Sequence, residues 1–135
     1  MRLPVQAPFH LEATVRVLQR RPANLIDTWD GRRYRRAVCI QGRPVVFEVS
    51  NRGDIDSPDV RMALLTRGVA PASRAETATI AAAILGLDHD PEAYQRRAQA
   101  QPGLRATALA LRGMRPPRYP DLFETFANVI PFQQM

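Results

Sequence analysis

Three prolines within six residues constrain the chain more than any other feature. Pro116, Pro117 and Pro120 lie in the segment 115–120, and each removes a backbone donor and restricts the residue before it. The segment therefore cannot be helical. It separates the first part of the chain from an apolar segment, in which Asp121 is placed to cap a helix.

The helix predicted after Asp121 carries an apolar stripe. Phe123, Phe126, Ala127 and Ile130 recur at helical spacing. Pro131 removes an amide inside this helix, and we expect a kink or a break there.

The sequence ends at Met135, and no partner for the apolar stripe is evident within its 135 residues. We therefore expect residues 1–88 to form one small domain. Residues 89–135 are expected to be a helical connector and the first helix of a second domain that the chain leaves incomplete.

Composition indicates a soluble globular protein with an anionic partner. The net charge is +6, and all 19 basic residues are arginine, which makes forked contacts with phosphate. Nucleic acid is the first such partner to consider. The single cysteine, Cys39, excludes an internal disulfide and a cysteine-built metal site, and it fits a reducing cytoplasm. No signal peptide or membrane span is evident.

The first half of the chain alternates like a sheet. We predict strands over residues 11–17, 32–41 and 45–50, because apolar and polar residues alternate with a period of two. Residues 23–29 are predicted to be an irregular or helical turn. Residues 60–66 are compatible with either a strand or a helical turn.

Helix signals follow in the second half. Ser73 and Glu76 have capping-box spacing, and Gly86 is placed for a left-handed C-terminal cap. Asp90 is expected to cap a further helix with Pro91 in its first turn, and residues 104–111 form another short helix. Strands followed by helices predict an α+β fold, a small antiparallel sheet with helices on one face.

Several short motifs occur in a fixed order along nearly the whole chain. They are residues 20–24 with Trp29, Tyr34-Arg35-Arg36, residues 84–91, residues 111–117, and Leu122-Phe123-Glu124 followed by residues 128–134. In order and spacing they resemble the N-terminal part of the AlkA-type DNA-3-methyladenine glycosylases, in the helix-hairpin-helix DNA glycosylase superfamily.

The resemblance implies a modular enzyme of base-excision repair. Its sheet domain is similar to one half of the TATA-box-binding fold, and a helical domain then carries the hairpin and the catalytic aspartate. Such enzymes flip an alkylated base out of duplex DNA and fill the vacated stack with a side chain from the loop matching Gln133 and Gln134. The aspartate stabilises charge on the sugar, and the hairpin binds the backbone, often with a monovalent cation.

The resemblance gives this chain DNA-binding candidates and no catalytic residue. The candidates are Gln133 and Gln134, together with Arg115 and Arg118 of the connector. The hairpin and the aspartate would follow Met135, so we expect the chain alone to be inactive, with no cofactor and no metal site. The intact protein is expected to bind DNA containing alkylated bases. A non-catalytic nucleic-acid-binding module and a protein-interaction module that self-associates through the terminal helix remain alternatives.

Other candidate sites have simpler explanations. Cys39 with His10 or His89 is not a nucleophilic pair, because nothing places these residues together. The run Asp88-His89-Asp90 is better explained as a helix start than as a metal cluster. The acidic loop of residues 54–59 lacks the glycine and glutamate of a calcium loop, and Trp29 and Tyr34 are more typical of a core than of base stacking.

Overall fold

The computed structural model describes residues 1–19 and 24–133. Within these ranges four strands form one antiparallel sheet in the order β1-β2-β3-β4. The strands are β1 (Asp27–Trp29), β2 (Arg33–Ile40), β3 (Arg43–Asn51) and β4 (Val60–Leu64). The helices are α1 (Leu11–Leu18), α2 (Pro71–Ile84), α3 (Glu92–Ala100), α4 (Arg105–Ala110) and α5 (Leu122–Gln133). The predicted α+β class is confirmed.

The β2–β3 hairpin fixes the register of the sheet. Ile40 pairs with Arg43 across a two-residue turn, in which Gln41 and Gly42 both have positive φ angles. Turns of this kind match the right-handed twist of the strands they join. The second and third predicted strands are therefore confirmed, and β4 is a strand rather than a helical turn.

The core lies between one face of the sheet and the first two helices. Alternate residues of β2, beginning at Tyr34 and Arg36, are buried on this face, as are Phe47 and Val49 of β3. Ile84 of α2 belongs to the same apolar cluster. The opposite face is more exposed, so the helices cover one side of the sheet.

The strand predicted over residues 11–17 is wrong, because this segment is the helix α1. The buried residues Leu11, Thr14, Val15 and Leu18 recur at helical spacing. His10 caps the helix, with its Nδ1 accepting the Ala13 N–H at 3.2 Å. The β-branched residues favour a strand locally, but burial of the helical stripe decides the conformation.

The capping box predicted at Ser73 is also wrong. Helix α2 begins at Pro71, and no side chain caps its first turn. Proline at the first helical position has its φ angle already set, and the N-cap is Ala70, three residues before the predicted cap. Gly86 does take the predicted left-handed conformation after this helix, with φ +63°.

Two further helix starts follow the predictions closely. The carboxylate of Asp90 accepts the Glu92 N–H at 2.8 Å, although Pro91 stands at the N-cap position and not inside the first turn. Helix α4 lies within the predicted range 104–111. The connector over residues 115–120 is non-helical, as predicted.

One prediction about irregular backbone is wrong, and of the kink or break predicted at Pro131 the break is absent. Residues 27–29, expected in an irregular or helical turn, form the edge strand β1, and Trp29 pairs with Tyr34. Helix α5 continues through Pro131 to Gln133, so the predicted break does not occur within the described residues. Across residues 1–19 and 24–133, no helix is long and apolar enough to cross a membrane.

Candidate nucleic-acid interface

The predicted DNA-binding residues lie on the connector and on α5, and the start of α5 is well defined. The carboxylate of Asp121 accepts the Glu124 N–H at 2.7 Å. The Thr125 hydroxyl donates to the Asp121 carbonyl, also at 2.7 Å. The first of these bonds satisfies an N–H group that a helix start leaves unpaired, and the predicted cap at Asp121 is confirmed.

A buried arginine joins α5 to the sheet. The Arg36 side chain on β2 is fully buried, and its Nη1 donates to Asp27 Oδ1 at 2.5 Å. Its Nη2 donates to the Glu124 carboxylate, 88 residues away in sequence. The Tyr34 hydroxyl donates to the same Asp27 oxygen at 2.6 Å. Three elements, β1, β2 and α5, therefore meet at one cation.

The charged form of Arg36 is favoured within this network. Burial disfavours the Arg36 cation, but Tyr34, Glu124 and Asp27 together outweigh that penalty and raise the pKa of Arg36. Burial also raises the pKa of Tyr34 well above its usual value, with a further contribution from the Asp27 carboxylate.

Helix α5 turns a polar side toward the domain. Glu124, Thr125 and Asn128 are the partly buried residues of its first two turns. The apolar side chains lie outward, with Phe123 83% and Phe126 57% exposed. A surface helix normally buries its apolar stripe, so α5 has the reverse orientation.

Arg118 fastens the connector to the end of α2. Its backbone N–H donates to the Ile84 carbonyl at 3.0 Å, and its Nε donates to the Ala83 carbonyl at 3.2 Å. Its guanidinium also pairs with Asp88, and this hydrogen bond lowers the pKa of the Asp88 carboxyl. The Arg118 side chain is 43% exposed, so a phosphate can approach it.

Arg115, in contrast, is inside the protein. Only 1% of its surface is exposed, and its guanidinium donates to the carbonyls of His89, Gln6 and Pro8. Its backbone N–H donates to Thr14 Oγ1 at 3.0 Å. Burial lowers its pKa. In this conformation the Arg115 guanidinium binds backbone and is closed to solvent.

Of the two candidate glutamines, Gln133 lies at the far end of α5. Gln133 is the last residue of the helix, and Gln134 falls outside the described residues. The backbone of α5 therefore carries Gln133 away from the end at which Glu124 binds Arg36.

A wide groove of about 710 Å³ opens elsewhere, between the start of α1 and the sheet. Arg32, Arg33 and Arg52 line it, but so do Glu12, Glu48 and Asp54. Glu48 pairs with Arg33 and Arg35, and Glu12 pairs with Arg16. The charges of the lining residues balance, so the groove is not a basic channel.

The other candidate clusters considered in the sequence lie within the described residues. There, no group of three His, Cys, Asp or Glu side chains is arranged to hold a metal ion. The Asp54 carboxylate accepts the backbone N–H groups of Asp56 and Ser57 and so orders its own loop. Cys39 is exposed, and Tyr34 lies in the core as expected.

The Arg36 network was not predicted from the sequence, although a signal for it exists. Arg36 shares its strand face with Tyr34, Val38 and Ile40, which are all buried. An arginine on the inward face of a strand requires an acidic partner, because an unpaired buried charge is very costly. The sequence does not show that the partners are Asp27 and Glu124.

These features define a small α+β sheet domain with an arginine- and proline-containing connector and an outward-facing terminal helix. Residues 1–121 match the family of AlkA N-terminal domains, and the chain belongs to this family. The resemblance stated from the motifs is confirmed. No curated protein matches the sequence significantly.

Among solved structures, the fold is similar to that of the 3-methyladenine DNA-glycosylase from Archaeoglobus fulgidus. The TM-score is 0.73 at 17% sequence identity, and the match covers 100% of this chain. It covers 45% of that chain, so the present chain spans less than half of the length of the glycosylase. At this identity the likeness establishes the fold.

Proposed function

We propose that this chain is the N-terminal region of a DNA base-excision-repair glycosylase, which removes alkylated purines by hydrolysing the N-glycosidic bond. The family match over residues 1–121 carries the proposal. The likeness of the fold to a 3-methyladenine glycosylase supports it. The proposal places the protein in a bacterial cytoplasm, in keeping with its single cysteine, Cys39.

Within this proposal, residues 1–88 form the sheet domain. Residues 89–135 form the connector and the first helix of a catalytic domain. The sheet domain acts as a scaffold, since its buried carboxylate, that of Asp27, is held by Arg36 and Tyr34. We therefore expect the 135 residues to have no glycosylase activity of their own.

The end of α5 is the proposed point of contact with the DNA stack. Gln134, with Gln133 beside it, fills the space left by a flipped base. Arg118 binds a DNA phosphate in place of Asp88. The exposure of the Arg118 side chain favours this exchange. Arg115 contributes by holding the connector in place, because its guanidinium is already bound by three carbonyls.

Two measurements test the enzymatic part of the proposal. The sequence encoded downstream of Met135 is expected to contain a helix-hairpin-helix followed by an aspartate, and an unrelated domain there would contradict the assignment. An excision assay on duplex DNA containing 3-methyladenine or hypoxanthine is expected to give no product with the 135 residues. Turnover by this chain would contradict its proposed inactivity.

DNA binding by this chain separates the glycosylase proposal from a non-catalytic binding module. We expect weak binding whose salt dependence reports about one or two phosphates. Arg118→Ala should weaken it, whereas Arg96→Ala, which removes another arginine from an exposed ion pair, should not. Tight binding with a slope reporting several phosphates would favour the module.

Self-association is a second candidate function, favoured by the outward apolar side of α5. Phe123 and Phe126 lie together on that side and are mostly exposed. Two copies of the chain packing through these faces would remove them from water. Sedimentation should then show a concentration-dependent dimer, which is lost in the double variant Phe123→Ser/Phe126→Ser and retained in Tyr94→Ser, a control at another exposed aromatic residue. A monomer at high concentration would contradict this candidate.

A further inference from the structure

Helix α5 is tied to the domain by very few contacts. Its apolar side chains lie outward, and the side chains of Thr125 and Asn128 form hydrogen bonds to carbonyls four residues earlier in the same segment. Among the side chains that the structure describes, the ion pair between Glu124 and Arg36 is the one polar contact that joins α5 to the sheet. The orientation of the helix therefore depends on this contact.

The contact is specific because Arg36 has little freedom. Its side chain is fully buried. Asp27, 5% exposed, holds one terminal nitrogen, and the other points to Glu124, whose side chain is 24% exposed. Within the described residues no atom accepts from the buried Arg36 Nε. Because Asp27 holds one terminal nitrogen of the planar guanidinium, Glu124 can reach the other nitrogen from one direction only.

This geometry also sets which side of α5 faces outward. With Glu124 drawn toward the sheet, the partly buried side of the helix is the polar side that includes Thr125 and Asn128. Burial of apolar surface alone would favour the opposite rotation, with Phe123 and Phe126 inward. The ion pair therefore opposes the hydrophobic preference of the helix.

We propose that Arg36 is a positioning residue that fixes the direction and the rotation of α5 through Glu124. The helix runs from Leu122 to Gln133, so its direction determines where the glutamine end is held. The significance for DNA rests on the function proposed above for Gln133 and Gln134. The positioning itself does not, and it is testable without DNA.

The test measures the placement of α5 relative to the sheet. Nitroxide labels are attached to Cys39, the exposed native cysteine in β2, and to a cysteine introduced at the exposed Ala127 of α5. The distribution of distances between the labels is recorded by pulsed electron paramagnetic resonance. We expect a narrow distribution in the otherwise unchanged chain and a broad or shifted one after Glu124→Gln.

Hydrogen exchange gives a second, local readout. Removing a hydrogen bond to a charged group should speed exchange of the α5 amides over residues 125–130 by about tenfold, with the β2 and β3 amides unchanged. Glu92→Gln is the matched control, because it removes a carboxylate that pairs with Arg96 on the exposed side of α3. This control should alter neither the distance distribution nor exchange in α5.

A second variant removes the sheet side of the ion pair. Asp27→Asn combined with Arg36→Met removes both charges from the core while leaving Glu124, and it should release α5 in the same way. An unchanged distance distribution in Glu124→Gln would overturn the proposal. So would equal acceleration of exchange in α5 and the sheet, since Glu124 would then contribute only to overall stability.

Discussion

The backbone N–H of Arg115 donates to the hydroxyl of Thr14 at 3.0 Å, and the two residues are 101 positions apart in sequence. Thr14 lies on α1 and is fully buried, and its hydroxyl in turn donates to the His10 carbonyl at 2.9 Å. The connector is therefore anchored in the core of the sheet domain by its backbone as well as by the Arg115 side chain.

Thr14→Val should destabilise the protein through this bond. The substitution keeps the shape of the side chain but leaves the buried Arg115 N–H without an acceptor, which costs about 1–3 kcal/mol. Thr14→Ser keeps the hydroxyl and loses only a methyl group, at about 1 kcal/mol. Urea unfolding measures both free energies. A smaller loss in Thr14→Val than in Thr14→Ser would show that the hydrogen bond is not important.

Gly113→Ala should lower the stability of the protein more than Gly68→Ala does. Gly113 has φ +81°, and an added Cβ would lie 2.9 Å from the His10 nitrogen. Gly68 has φ +71° with open space around it. Gly68→Ala should therefore cost only the left-handed backbone, about 1–2 kcal/mol. Gly113→Ala should cost about 1–3 kcal/mol more, because the packed backbone must move. Equal thermal shifts in the two variants would contradict this expectation.

Tyr34 should make the stability of the protein fall at alkaline pH. Its pKa is raised by burial, and next by Asp27, above the ordinary value of 10.0. Below that value the phenol is protonated in both states, and its contribution to stability is fully present. Above it the unfolded chain releases the proton while the folded chain retains it, so the free energy of unfolding decreases as pH rises toward the folded pKa.

Tyr34→Phe tests this contribution. The variant should lose stability at neutral pH, because the hydrogen bond to Asp27 is absent. Its free energy of unfolding should then decrease less steeply with pH above about 10. Tyr94→Phe, at a side chain that is 75% exposed, should keep the slope of the unchanged protein. The same alkaline slope in all three proteins would contradict the prediction.

Arg118 should set the acid titration of Asp88. The hydrogen bond from Arg118 lowers the pKa of this carboxyl below its ordinary value of 3.8. The contribution of the pair to stability is therefore present above about pH 3.8 and is lost as pH falls through the lowered pKa. In a carboxyl titration by NMR, Arg118→Gln should move the pKa of Asp88 back toward 3.8.

Asp30 provides the internal control for that titration. Its pKa is also lowered, but the largest causes are hydrogen bonds from the backbone N–H groups of Arg32 and Arg33. Arg118→Gln should leave it unchanged. Movement of both carboxyls would indicate a general structural change, and movement of neither would show that Arg118 does not pair with Asp88 in solution.

The segment 11–18 shows the limit of local patterns. Its alternation at Ala13, Val15 and Val17 predicts a strand, whereas the buried set that includes Thr14 and Leu18 fits a helix. Both periods can be found in the same eight residues. The choice depends on which residues meet an apolar surface, and that surface is built by strands that come later in the chain.

The connector and α5 show that local patterns are equally limited in predicting the candidate site. The sequence predicts a helix capped by Asp121 and identifies its apolar stripe, and both are present. It also predicts that Arg118 and Arg115 are similar basic residues of one connector. The structure separates them, because Arg118 is 43% exposed whereas Arg115 is buried among carbonyls.

The sequence by itself determined the α+β class, the central hairpin, the non-helical connector and the family. Each of these depends on residues close together along the chain, on turn formers, or on motif order. The tertiary structure alone decided that α1 is a helix and that α5 turns its apolar side outward. It also decided that Arg36 joins Asp27 and Glu124. Those outcomes depend on burial and charge pairing between distant segments, whose energies exceed local preferences only once the chain has folded.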